Sequence, residues 1–340
     1  MGILRRKGND MGKILLTGGL GYIGSHIIAC MEDPKSVLIA DNLSNIDIAQ
    51  IDRLKKLVPI QSDQLIVVDC ADLAAFEQVF KNHDISAVIH LAGLKAVGES
   101  VQKPLEYYRN NLNATMNVLI LCEKYKVNEL IFSSSATVYG PQVSPMKETM
   151  PLLKTSNPYA ETKAISERMI EDYCAIHPEM SATSLRYFNP VGAHPSGIIG
   201  EIPNGIPNNL LPFVQQVASG KRPWLNVFGN DYDTQDGTAI RDYIHVMDLA
   251  SAHLCVLSSP KPGYRTYNVG TGKGTSVLGL VHAFETTNKI TIPYKIASRR
   301  AGDVQESTAD VSKIKNELGW SSTYTIEDIC KDAYNFEKNQ

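Results

Sequence analysis

The sequence predicts an α/β fold, a doubly wound parallel sheet with a smaller mixed C-terminal lobe, on three observations. Short apolar runs alternate with segments of helical period from Lys13 to about Pro190, the pattern of strands joined by crossover helices. The first run breaks at a glycine-dense turn, Thr17-Gly-Gly-Leu-Gly-Tyr-Ile-Gly24, and the second ends in an acid, Asp41. Beyond Pro190 the texture changes, because residues 195–212 are rich in Gly, Pro and Asn, which marks a crossing into an irregular second lobe. The expected division is an N-terminal tail over 1–12, a nucleotide-binding unit over 13–190 with a segment near 228–270 returning to it, and a mainly ligand-binding lobe over 191–340.

Ile14-Leu15-Leu16 reads as the first strand, and the residues after the turn have helical spacing. Two glycine spacings coexist there: Gly19, Gly21 and Gly24 fit G-x-G-x-x-G, while Gly18, Gly21 and Gly24 fit G-x-x-G-x-x-G. Either supplies one glycine for a tight turn, one for backbone approach to a pyrophosphate and one for close helix–strand packing. Tyr22 and Ile23 open the helix, whose free N–H groups and positive dipole end suit phosphate. The second strand, Val37 to Ala40, delivers Asp41 at the ~20-residue spacing of an acid that takes ribose hydroxyls, with Asn42 next to it. An acid there repels a 2′-phosphate, so the expected cofactor is NAD rather than NADP.

Residues 65–68 read as a third strand, with Asp69 at its carboxyl end within reach of an adenine. Leu73, Phe76, Val79 and Phe80 give residues 73–83 a helical face. A fourth strand over 87–90 leads to Leu91, Ala92 and Gly93, small enough for backbone to lie against a cofactor, with Lys95 beside it. A long helix is expected over 104–125, with Asn110 early in it, and a fifth strand over 130–132 runs into Ser133-Ser134-Ser135. A helix over 156–173 and a strand over 183–186 precede Tyr187-Phe188-Asn189. Helices near 213–219, 246–257, 276–284 and 311–318, and strands near 227 and 267–269, complete the expectation. The glycine turn, Asp41, Asp69, residues 91–95 and the serine run all fall at the carboxyl edge of a Rossmann-type sheet, where ligands bind.

Bulk properties narrow the function further. The 340 residues are 43% hydrophobic and 20% charged, with a net charge of −3. That balance gives no electrostatic case for nucleic acid or an anionic membrane. Six cysteines lie scattered without a C-x-x-C pair, and eight histidines show no H-E-x-x-H spacing, so neither a disulfide frame nor a metal site is expected. No apolar run spans a bilayer, and cytoplasmic localisation is the expectation. The basic start, residues 1–7, carries Arg6 where a myristoylation signal needs a hydroxyl residue.

The chemistry is expected at Tyr159 and Lys163, four apart and therefore on one helix face. An ammonium beside a phenol favours the phenolate, which would draw the tyrosine down from its usual ~10. Such a tyrosine takes a proton from a sugar or alcohol hydroxyl while hydride leaves the same carbon. Ser135 is placed to hydrogen-bond that hydroxyl and relay its proton.

The Gly18–Gly24 turn, the serine-ended strand and Tyr159-x-x-x-Lys163 together resemble an extended short-chain dehydrogenase/reductase. Longer stretches narrow the resemblance to its UDP-galactose (UDP-glucose) 4-epimerases: HLAGLKAVGES over 90–100, FSSSATVYG over 132–140, LRYFNPVGAHPSG over 185–197, GIPNNL over 205–210 and RDYIHVMDL over 241–249. The resemblance runs from about Lys13 to the C-terminus. It implies oxidation at C4 of a UDP-hexose, with Tyr159 taking the 4-hydroxyl proton and Ser135 assisting. Rotation of a 4-keto sugar and re-reduction on the other face follow, without net redox change. It further implies that Lys163 binds the nicotinamide ribose and that Ser133 and Tyr187 belong to the cofactor site. Lys95, Phe188, Asn189, Asn209, Leu210, Asn226, Phe228, Arg241, Arg300 and Asp303 are implied to line the nucleotide-sugar site. By the same analogy the protein is a homodimer joined through the helices over 104–125 and 156–173. Position 307 is Ser, where bacterial members carry a bulky tyrosine against the sugar; the smaller residue implies room for an N-acetyl group. Competing readings are a related nucleotide-sugar epimerase or dehydratase and a non-catalytic NAD-sensing protein. A dehydratase needs an acid pair where this chain has Ala136-Thr137, and a sensor has no need of Tyr159 and Lys163.

Overall fold

The computed structural model describes residues 12–340 other than 204, 206, 208 and 301. The tail expected over 1–12 therefore lies outside the described residues, Gly12 excepted. From the N-terminus the chain forms β1 (Lys13–Thr17), α1 (Tyr22–Cys30), β2 (Val37–Asp41), α2 (Gln50–Lys55), β3 (Leu65–Val67) and α3 (Leu73–Asn82). Then come β4 (Ile85–His90), α4 (Val97–Gln102), α5 (Pro104–Tyr125), β5 (Glu129–Ser135), α6 (Pro158–Ile176) and β6 (Ser181–Tyr187). The remainder comprises β7 (Asn189–Val191), α7 (Leu210–Ala218), β8 (Leu225–Phe228), β9 (Ile240–Arg241), β10 (Tyr243–His245), α8 (Val246–Leu257) and β11 (Gly263–Val269). Last are β12 (Thr275–Ser276), α9 (Val277–Asn288), β13 (Tyr294–Ala297), β14 (Glu306–Ser307), α10 (Ser312–Leu318) and α11 (Ile326–Lys338).

Among the described residues the main sheet has seven strands in the order β11-β6-β5-β4-β1-β2-β3, all parallel. Neighbouring residues of each central strand enter opposite cores. Leu16, Ile39, Ile89 and Ile131 pack with Ile27 and Ile28 of α1 and Leu249 of α8. Leu15, Leu38, Val88 and Leu130 pack with Phe76 of α3, Val118 of α5 and Ile170 of α6. Helices on both faces explain why these strands read as continuous apolar runs rather than alternating ones.

Local chemistry sets the helix ends. Asn157 accepts from the Ala160 N–H at 2.9 Å, with Pro158 at the first helical position, so α6 starts at Pro158 rather than at the expected residue 156. Asp72 caps α3 in the same way, accepting from the Ala75 N–H at 3.1 Å. Helices α5 and α8 coincide with the expected 104–125 and 246–257.

The second lobe has its own core of Leu211, Val214, Leu225, Leu280, Phe284 and Ile329. The chain returns to the main sheet later than residue 228. Strand β8 pairs with β13 in a separate two-stranded sheet, whereas α8, β11 and, through Ile314 and Trp320, the α10 region pack back onto the main sheet, with β11 lying along β6. Glycines with positive φ at 229 and 237 turn the chain between these parts. Helix α11 has no counterpart in the sequence expectation. Its signals were present, in a Thr325/Asp328 capping box and in buried Ile329, Cys330, Ala333 and Phe336.

Candidate active site

Strand order reverses between β1 and β4, and the crevice opens where such a sheet places its ligands. Gly18 ends β1 with φ +65°, and a Cβ there would sit 2.9 Å from the Ala92 backbone beyond β4. A Cβ on Gly24 would meet the Gly19 carbonyl at 2.6 Å, and one on Gly21 the Gly18 carbonyl at 3.0 Å. Gly19 has no positive φ. A Cβ on Gly19 would meet Leu16 and Ile39 at 3.0 Å, so all four glycines stand at close quarters and Gly18 alone of them takes the left-handed backbone. Helix α1 begins at Tyr22 with no side-chain cap, leaving Ile23 and its neighbours in the first turn suited to phosphate oxygens. Tyr22 turns its hydroxyl elsewhere, donating to the Gly192 carbonyl at 2.7 Å.

Asp41 is 7% exposed. It accepts from the Leu20 N–H at 3.2 Å and the Leu43 N–H at 2.9 Å, so it restrains the glycine turn from the neighbouring strand. Burial raises its carboxyl pKa, and the two N–H groups oppose the rise. Asn42 and Asp69 are exposed at the same edge, each capping a local turn through Ser44 and Ala71 respectively. Leu91 continues the sheet by donating to the Thr17 carbonyl at 3.0 Å, and Ala92 donates to the Thr17 hydroxyl at 3.3 Å. A crevice with no room for side chains, free helix N–H groups and a buried acid on the next strand fit a dinucleotide.

Lys95 is exposed beyond β4. Lys95 reaches across to the second lobe and pairs with Glu201 at 3.0 Å. Asn110 is half-buried, whereas its neighbour Asn111, missed as a site residue, ties the 91–95 loop to α6. It accepts from the Leu94 N–H at 2.8 Å and donates to the Leu94 carbonyl and the Thr162 hydroxyl, each at 3.0 Å. Only the helical phase of Asn111 separates the two asparagines, and that phase was legible.

The proton-handling groups come together at the end of β5. Lys163 is buried at 7% exposure, and its Nζ donates to the Ser133 carbonyl at 2.6 Å and to the Ser133 hydroxyl at 3.1 Å. The same ammonium lies 4.7 Å from the centre of the Phe132 ring. Burial pushes the lysine down to about 8, opposed by the Glu167 carboxylate. Ser135 accepts from the Thr137 hydroxyl at 2.9 Å, and its hydroxyl draws the Tyr159 phenol down against the effect of burial. The expected downward pull of Lys163 on Tyr159 is not met within the protein alone. Burial raises the phenol, Ser135 is the group that opposes the rise, and the ammonium is engaged by Ser133.

Two other expected residues sit in the core. The Tyr187 hydroxyl lies 2.6 Å from His253 Nε2 of α8. Phe188 is 6% exposed and packs with Val138, Tyr139, Met146 and Ala164. Their register at the strand edge was readable, but the direction of each side chain depends on α8 and on the 138–146 loop.

Beyond β6 the second lobe forms a cavity of about 220 Å³. Asn189, Asn209, Leu210, Asn226, Phe228, Arg241, Arg300 and Asp303, all expected from the sequence, line it. Phe213, Arg222, Trp224 and Tyr243, which the sequence did not single out, complete its walls. Arg300 lies 4.2 Å over the Phe228 ring, and Arg241 is ion-paired with Asp303. Ser307 stands beside Arg241 in the parallel β14–β9 pair and is not a lining residue of the cavity. Ser135 is in register with Tyr187, and Asn189, two residues further along that chain segment, lines the cavity.

Taking hydrogen from a hydroxyl-bearing carbon requires a proton acceptor and a hydride acceptor side by side, and this sheet edge provides for both. The class is a dinucleotide-dependent enzyme of alcohol chemistry. Residues 14–270 match the model of the NAD dependent epimerase/dehydratase family. A UDP-glucose 4-epimerase from Dictyostelium discoideum is 50% identical over 330 residues, covering 96% of this chain and 95% of the relative. A crystal structure of UDP-glucose 4-epimerase from Bifidobacterium longum in complex with NAD+ and UDP is 43% identical with a TM-score of 0.91, covering 96% of this chain and 98% of that one. The UDP-Glc/GlcNAc 4-epimerase of Campylobacter jejuni is 37% identical with a TM-score of 0.82, at 96% and 99% coverage. The chain belongs to the NAD dependent epimerase/dehydratase family, in its UDP-glucose 4-epimerase branch. Among the described residues no helix is long and apolar enough to cross a membrane, and no cluster of three or more His, Cys, Asp or Glu is arranged for a metal.

The lysine has a consequence for stability. Its pKa of about 8 in the folded chain lies below the ~10.4 of an unfolded lysine. Between those values the unfolded state binds more protons, so the contribution of this group to stability rises with pH. In the ligand-free protein, urea midpoints measured from pH 7.5 to 10 should climb more steeply for wild type than for Lys163→Met. Parallel pH dependences would contradict the assignment.

Proposed function

We propose that this protein interconverts UDP-galactose and UDP-glucose by reversible oxidation at C4 of the hexose, using NAD. The observation that carries the reading is the joining of the Ser135–Tyr159–Lys163 cluster to an arginine-lined cavity through one strand register. Gly18, Gly21, Gly24 and Asp41 are the residues we assign to the dinucleotide, with residues 13–190, α8 and β11 as its domain. Bound NAD supplies a reversible acceptor for the C4 hydrogen.

Tyr159 accepts the 4-hydroxyl proton, with Ser135 hydrogen-bonded to the phenol and to the incoming hydroxyl. Lys163, tied to Ser133, is the residue we assign to the nicotinamide ribose. Arg241 and Arg300 bind the diphosphate through permanent, fork-shaped charges, and Phe228 gives the uracil an apolar wall. A firm hold on UDP and a loose one on the hexose let the 4-keto sugar turn over. Hydride return to C4 on the other face is matched by Tyr159 giving its proton back to the 4-oxygen, which leaves no net redox change.

Purified protein mixed with UDP-galactose and no added NAD should yield UDP-glucose without accumulating NADH. Tyr159→Phe should lower kcat by at least ~100-fold while bound NAD remains. An unchanged rate in the variant would favour the sensor reading.

Ser307 carries a second expectation. Its side chain is small and lies in register with Arg241, and we assign the protein activity on the UDP-N-acetylglucosamine and UDP-N-acetylgalactosamine pair as well. Ser307→Tyr should remove that activity and preserve turnover of UDP-galactose. No interconversion of the N-acetylated pair by wild type at high enzyme concentration would refute it.

We also assign a homodimer built on α5 and α6. Leu105, Met116 and Ile120 fall on one face of α5 and are 81%, 43% and 40% exposed, an apolar stripe of the kind that marks an interface. Sedimentation should give a dimer for wild type and a monomer for Leu105→Glu; a monomeric wild type would exclude the assignment. Six free cysteines accord with a reducing compartment, and the cytoplasm is the location we assign, which cell fractionation checks.

A further inference from the structure

Glu167 lies one helical turn beyond Lys163 on α6 and takes no part in the chemistry above. Its side chain is 3% exposed, and that of its partner Arg186, on β6, is 5% exposed. Arg186 donates from Nε to one carboxylate oxygen at 2.9 Å and from Nη2 to the other at 2.6 Å. Ser134 donates its hydroxyl to the same carboxylate at 2.5 Å. Ser134 sits between Ser133, which holds the Lys163 ammonium, and Ser135, whose hydroxyl favours the Tyr159 phenolate. One carboxylate therefore joins α6, the end of β5 and the end of β6. The charged and titratable groups around it are Lys163 from its own helix, Arg186 from β6 and Tyr264 from β11, with Glu148, Arg168, Glu171, Arg265 and Lys313 lining the same cavity as Glu167. Arg186 in turn lies 4.7 Å over the Tyr139 ring.

A buried ion pair adds little net stability over well-packed apolar residues of the same volume, so stability does not account for this arrangement. We propose that Glu167 is a positioning residue. By gripping Ser134 and Arg186 from α6, it fixes the end of β5 against the helix. That sets the reach from Ser133 to Lys163 and from Ser135 to Tyr159. The inference rests on the epimerase reading of those residues.

Two variants of the NAD-loaded protein test it. Ser134→Ala removes the grip on the strand and leaves the ion pair in place. The double variant Glu167→Met with Arg186→Met replaces the pair by apolar side chains, a change that buried pairs tolerate. With UDP-galactose, kcat should fall on the order of ten- to a hundredfold through misplacement of the reacting groups. KM should stay within about twofold, and the pH profile of kcat should shift. Crystal structures of both variants should show the Lys163–Ser133 contact lengthened from 2.6 Å.

Wild-type kcat and pH profile in Ser134→Ala, with that contact unchanged, would overturn the proposal. A rise in KM at constant kcat would overturn it too, because the network would then serve binding. If the double variant fails to fold, Ser134→Ala decides alone. A wild type without activity on UDP-hexoses overturns the epimerase reading instead, and the Lys163–Ser133 distance in the variant crystals then decides this inference.

Discussion

A primary ammonium taken out of water must find oxygen acceptors, and the Lys163 ammonium finds them on Ser133, the first residue of a serine run. That single requirement aligns a helix with a strand. Once Nζ is tied to the carbonyl and hydroxyl of Ser133, the N-terminal turn of α6 has little freedom relative to the end of β5. Tyr159, one turn earlier, is then delivered to Ser135, two residues further along the strand. Two spacings of different period, four on the helix and two on the strand, meet at one point.

The cradle on the other side of the sheet edge depends on absent atoms. Gly18 against Ala92 and Gly24 against Gly19 leave no room for a methyl group, so the crevice at the strand-order reversal stays open at backbone level. Asp41 draws the turn toward β2 through the Leu20 N–H, while its burial keeps its carboxyl pKa raised. The side chain that marks ribose specificity on the proposed reading therefore also helps hold the turn in shape. At the far end, Arg241 beside Asp303 and Arg300 over Phe228 pre-position guanidinium charge around a cavity built from the other lobe. The division of labour suits a reaction in which nucleotide grip and sugar freedom must coexist.

Much of this was legible from residues alone. The sheet, its helices and the edge at which functional groups gather follow from apolar runs buried on both faces and from glycines at fixed spacing. The Tyr159 and Lys163 pair is a matter of helical phase. The elements overlooked were short or late, such as β13 and α11, where a capping box and a four-residue apolar repeat carried the only signal. Asn110 and Asn111 are alike in type, and only the phase of the helix that carries them separates the half-buried one from the buried one.

What the sequence by itself determined is therefore local: turn geometry, strand and helix identity, and the residue types available at the sheet edge, all set by neighbours a few positions away. The tertiary structure alone decided which side chains meet. It sent the Tyr187 hydroxyl to His253, Phe188 into a hydrophobic cluster and Lys95 across to Glu201. It also joined Ser134, Glu167 and Arg186 from three elements. The physical reason is that burial and partnership depend on the order of strands and the packing of helices far apart in the chain. The same long-range burial left the Tyr159 phenol raised, where helical spacing alone had suggested the reverse.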